Sequence, residues 1–138
     1  MDKNRKETAL KLFNEKYNCA QAIMLAYGDL VNIDKDVAFK IASGFGGGIA
    51  RLGKICGTIN AAVMILSLRY GGIEKEDIER ATKTRDVIRK FIKEFSEKHT
   101  GINCTDLLTE DEGKNHTMHS GKCASVVSEV CDLLEKYL

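Results

Sequence analysis

Apolar residues recur at three- and four-residue steps along most of the chain, which is helical rather than strand spacing. Ala9, Phe13, Tyr17, Ala20, Met24 and Tyr27 form one stripe and predict a first helix from Asp2 to Tyr27. Gly28 stops it, as glycine commonly does past a helix C-terminus. Asp34 is the N-cap of a second helix carrying Val37, Ala38, Ile41 and Ala42. That helix runs into Gly44-Phe45-Gly46-Gly47-Gly48, where the chain must turn, because glycine is costly inside a helix. A third helix starts near Lys54 to Cys56 and runs through Ala61, Ala62, Val63, Met64, Ile65 and Leu68 to Gly71-Gly72. It is apolar almost all round, so it is expected to be the buried central helix.

Glu74 to His99 predicts a fourth helix, with Ile88, Phe91, Ile92 and Phe95 on one face and acidic residues crowding its first turns. A short segment, Asn103 to Leu108, follows as a turn. Thr109 to Gly121 is polar and reads as a mobile loop. Ser120 caps a last helix, in which Cys123, Val127, Val130, Leu134 and Tyr137 keep helical spacing. No strand alternation or internal repeat interrupts this series. The pattern therefore predicts an all-α, single-domain bundle of about five helices over residues 1–138, built around a buried central helix.

Composition agrees with a helical chain: 138 residues hold no Pro, the residue that breaks helices. The charges, 21 Lys+Arg against 20 Asp+Glu, leave no basic excess for nucleic acid. The longest apolar run, Ile59 to Leu68, falls short of the ~20 residues of a membrane span. The N-terminus, Met1-Asp2-Lys3-Asn4-Arg5-Lys6-Glu7, has no apolar signal-peptide core, so a reducing cytoplasmic location is expected. There, Cys19, Cys56, Cys104, Cys123 and Cys131 are expected to be thiols, metal ligands or catalytic groups rather than structural disulfides. Homo-oligomerisation is left open.

No Cys-x-x-Cys occurs, which excludes thioredoxin-type motifs and zinc ribbons. A shared cysteine site can only be assembled in space, from different helices. Cys131 sits on the apolar stripe of the last helix and reads as core filler. Cys56 follows a glycine-rich turn near a helix start, where unpaired N–H groups favour a thiolate, and Arg51 and Lys54 are close in sequence. Cys19 lies at the edge of the first stripe, and Cys104 in a short turn. The glycine run lacks the context of a phosphate loop, so close approach of a helix or a ligand to the backbone is the favoured reading. Gly46, Gly47, Gly48 and Arg51 are then the candidates for cofactor contact. His116-x-x-His119 before Cys123 has metal-compatible residue types but is read as incidental.

Taken in order, several blocks resemble the C_GCAxxG_C_C family, described as redox-active proteins. They are Asn18-Cys19-Ala20-Gln21-Ala22-Ile23, Ala42 to Gly53, Cys56-Gly57, Ile102 to Leu108, and Cys123 opening a last helix. The resemblance places the four family cysteines on Cys19, Cys56, Cys104 and Cys123 and leaves Cys131 outside. Thr58 stands where the pattern has Ala, and Ala61 where it has Gly. A related haem domain does not carry over, because the chain lacks the Cys-x-x-Cys-His of covalent haem.

The resemblance and the setting of Cys56 imply thiol redox chemistry with an unidentified redox partner. The alternatives are an iron–sulfur cluster or Zn²⁺ held by the same four cysteines, and a helical binding protein without chemistry. Shared work of either kind requires the four sulfurs to meet, with Cys56 as the hub and Cys131 apart.

Overall fold

The structure, a computed structural model, describes residues 4–109 and 121–138, with the backbone alone for Thr109. His116, His119, Ser120 and most of the expected 109–121 loop lie outside the described residues. Seven α-helices occur among the described residues: α1 Arg5–Asn14, α2 Cys19–Tyr27, α3 Lys35–Ala42, α4 Gly57–Tyr70, α5 Ile78–Ser96, α6 Cys104–Thr109 and α7 Gly121–Tyr137. No helix there is long and apolar enough to cross a membrane.

Two differences bring the count from about five to seven. The predicted first helix is two. Lys16 adopts a left-handed φ of 77° after α1, and Asn18 starts α2 afresh. The Asn18 side chain accepts from the Gln21 N–H at 2.7 Å, and the Gln21 side chain accepts from the Asn18 N–H at 3.1 Å. This reciprocal cap satisfies two otherwise orphaned donors and makes a new helix start cheaper than continuing the old one. The segment after Asn103, expected as a turn, is the short helix α6.

The core is one contiguous cluster. Phe13 comes from α1, Ile23, Met24 and Tyr27 from α2, Ile59, Ile65 and Leu66 from α4, Phe91 and Phe95 from α5, and Val127, Val130 and Leu134 from α7. α4 is the central helix, packed on α2, α5 and α7. α2 is buried over more of its length, with seven of nine residues inside against seven of fourteen in α4. In α3 the predicted stripe splits: Ala38 and Ala42 face the core, while Val37 and Ile41 stay about half exposed. Small residues suffice where α3 lies close against α2.

Several long-range polar contacts to α7 brace the bundle. The Tyr27 hydroxyl donates to Glu135 at 2.8 Å, tying α2 to α7. His99, stacked on Phe95, has Nε2 3.0 Å from Glu129 and so ties the end of α5 to α7.

Candidate functional site

Cys19, Cys56, Cys104 and Cys123 each sit at the start of a helix. Cys19 opens α2, Cys56 is the N-cap of α4, Cys104 opens α6, and Cys123 lies in the first turn of α7. Helix N-termini carry partial positive charge and unpaired amides, the setting that favours a thiolate over a thiol. The four border one cavity, closed by Gly47, Leu107, Leu108, Lys122 and Val126. Its volume of about 30 Å³ is room for a water-sized guest. Cys131 is elsewhere, fully buried in the core beside Tyr27. Among the described residues, which include all five cysteines, no disulfide is formed.

Backbone bonds set this arrangement. Residues 53–56 are laced to residues 102–105: the Cys56 N–H donates to the Ile102 carbonyl at 2.8 Å and the Cys104 N–H to the Lys54 carbonyl at 2.6 Å. An isolated bridge between Ile55 and Asn103 completes the seam. The seam carries Cys104 to Cys56 across 48 residues of chain.

The glycine-rich segment is a left-handed turn. Five consecutive residues, Gly47 to Arg51, have φ between 50° and 74°. The turn is closed by Ala50 N–H to Gly44 O at 2.8 Å, Arg51 N–H to Gly46 O at 3.0 Å, and Lys54 N–H to Gly48 O at 2.9 Å. Left-handed backbone costs roughly 1–2 kcal/mol per non-glycine residue, and Ile49, Ala50 and Arg51 all bear it. What it secures is proximity. A Cβ on Gly48 would lie 2.7 Å from the Cys104 Cβ, and one on Gly57 would lie 2.7 Å from the Cys19 sulfur. The Gly47 amide favours the Cys19 thiolate, against the larger opposing effects of Cys56 and burial. The turn is thus a scaffold for thiols.

The cofactor candidates spread out. Gly47 borders the thiol cavity, and Gly48 backs Cys104. Gly46 packs on Asn18, and Arg51 is exposed; both line a separate polar hollow with Lys16 and Ser43. The left-handed turn carries Arg51 there. Lys54 is exposed too. Neither cation ranks among the main influences on Cys56.

Cys56 is instead governed by its immediate donors. The neighbouring Cys19 thiol is the largest influence and pulls its pKa below the ordinary thiol value, to about 6, against the opposing effect of burial. The Thr58 hydroxyl, 3.0 Å from the sulfur, and the Thr58 and Ile59 amides pull the same way. No side-chain cap bond to those amides is formed. Cys19 moves oppositely: its neighbour Cys56 and then burial hold it well above the ordinary value. Burial, then the charges of Cys56 and Cys123, push Cys104 up to about 11.

Thr58, Gly57 and Lys122 belong to this site and were not singled out from the sequence for it. Residue type alone marks none of them, although Thr58 lies two residues past a capping cysteine, where a hydroxyl can reach back. Among the described residues, no three His, Cys, Asp or Glu side chains are grouped so as to hold a metal ion.

A family model described as "Putative redox-active protein (C_GCAxxG_C_C)" matches residues 17–137. An uncharacterized protein of Archaeoglobus fulgidus is similar, 29% identical over 144 residues, covering 93% of this chain and 89% of the relative. No solved structure matches significantly. The match runs over nearly the whole chain and takes in all four helix-start cysteines, so the protein belongs to the C_GCAxxG_C_C family.

Proposed function

We propose that the protein is a dithiol redox carrier in which Cys56 is the attacking thiolate and Cys19 the resolving thiol. The observation that carries this reading is the convergence of Cys19 and Cys56, at the starts of α2 and α4, on one small cavity, with Cys56 as the easily ionised member. The Cys56 thiolate attacks one sulfur of a partner disulfide, forms a mixed disulfide and expels the partner's other sulfur as a thiolate. Cys19 then attacks the Cys56 sulfur. The Cys19–Cys56 bond forms, the mixed disulfide breaks, and the Cys19 proton goes to the departing partner sulfur. Two thiols have become one disulfide, and the partner has gained two electrons.

Cys104, pushed up to about 11, stays protonated at neutral pH and serves as a reserve resolving thiol. The seam to residues 53–56 holds it at the cavity. A reducing cytoplasm returns the carrier to its dithiol form through a separate redox partner.

The test is thiol counting with mass mapping before and after mild oxidation with glutathione disulfide. The expected product is a Cys19–Cys56 disulfide that is lost in Cys56→Ser. Visible colour or stoichiometric metal in anaerobically purified protein would overturn the dithiol reading in favour of a thiolate-bound centre.

A further inference from the structure

We propose that Thr58 is the positioning residue of the thiol pair, its buried hydroxyl donating to the Cys56 sulfur and favouring the thiolate over the disulfide. The inference rests on the dithiol reading above and adds a residue to it. Thr58 is 1% exposed, and its Oγ1 lies 3.0 Å from the Cys56 sulfur. Among the described residues that sulfur is the hydroxyl's one hydrogen-bond partner.

A helical threonine ordinarily turns its hydroxyl back to the carbonyl four residues earlier. For Thr58 that carbonyl belongs to Lys54, which lies before the helix and accepts from the Cys104 N–H. The hydroxyl hydrogen is therefore committed to sulfur, because a buried unpaired donor is expensive. A thiolate accepts such a bond strongly, whereas thiol and disulfide sulfurs accept it weakly.

The consequence is redox. Reduction by a small thiol RSH runs Cys19–S–S–Cys56 + 2 RSH → Cys19–SH + Cys56–S⁻ + H⁺ + RSSR. A donor that binds only the thiolate product draws this equilibrium to the right and makes the disulfide a stronger oxidant.

The experiment uses the full chain, Thr58→Val, which keeps the shape without the hydroxyl, and Thr58→Ser, which keeps the hydroxyl. Thr58→Ala replaces valine if circular dichroism shows the valine variant unfolded. Each protein is equilibrated with a glutathione buffer and mapped for the Cys19–Cys56 disulfide. Iodoacetamide labelling of Cys56 is timed separately near pH 5. In Thr58→Val the equilibrium should move about tenfold toward disulfide, which is about 30 mV. Labelling should slow about tenfold, since a hydrogen bond to a charged group is worth about one pH unit of ionisation. Thr58→Ser should stay within about twofold of the parent on both readouts, as it retains the donor.

Equal behaviour of Thr58→Val and the parent overturns the proposal. So does equal impairment of serine and valine, which would mean a packing role. Absence of a Cys19–Cys56 disulfide in every protein, the parent included, overturns the dithiol reading instead, and the labelling rate then decides Thr58 alone.

Discussion

Cys56 and Cys131 are both buried thiols, at 8% and 0% exposure, and they ionise in opposite senses. Cys131 lies in the middle of α7, where the helix consumes the nearby amides. Burial pushes it up to about 12; the nearby Tyr27 hydroxyl opposes this, and Asp132 and Glu135 reinforce it. Cys56 caps α4, and donors overcome burial there. The pair teaches that burial alone makes a cysteine inert, and that a neighbouring thiol and hydroxyl can reverse it; a helix start by itself does not, since Cys19 and Cys104 also open helices and are pushed up.

The largest expected effect tests that contrast directly. At pH 7 Cys56 is largely thiolate and Cys131 stays a thiol, which is also closed to reagent inside the core. Mapped iodoacetamide labelling should therefore find Cys56 reacting roughly 100-fold faster than Cys131. Its rate should fall as pH drops through about 6, where the thiolate is protonated. Equal rates would erase the distinction between the two regions.

Gly57→Ala should come next. Its Cβ would meet the Cys19 sulfur and the Phe45 carbonyl oxygen, each at 2.7 Å. Overpacking of this kind costs about 1–3 kcal/mol, measurable by urea unfolding. It should also part the thiols and move the midpoint of Cys56 labelling to higher pH. Cys131→Ala should cost about 1–2 kcal/mol through the cavity it leaves and leave Cys56 labelling unchanged. A slowed Cys56 would show the regions to be coupled. Asn18→Ala should have the smallest effect, about 1 kcal/mol of stability for the lost cap. A modest slowing of Cys56 should accompany it, because Asn18 fixes the start of α2 and hence Cys19.

The helical class was legible because apolar spacing reports it directly, and the caps at Asp34 and Gly71 fell where residue type indicates them. The break before α2 was written in Asn18-x-x-Gln21, a capping pair, but a continuous stripe from Ala9 to Tyr27 hid it. That break changes the meaning of Cys19, from the edge of a helix face to a helix start. The reach of Arg51 was not legible. It depends on three non-glycine residues holding left-handed backbone, which local preference opposes and only the surrounding packing enforces. The seam joining residues 53–56 to 102–105 was equally hidden, since a single bridge between distant segments leaves no period to read.

The order in which the chain is made bears on where α7 sits. Cys123 reaches the cavity only when α7 has been synthesised and has packed against α1, α4 and α5. A chain in which α7 has not yet docked therefore presents Cys19, Cys56 and Cys104 without the wall that α7 contributes. Any disulfide made in that interval would join sulfurs not yet sorted by the fold. The architecture thus ties correct chemistry to the docking of α7 and makes a reducing environment matter most before that docking is complete.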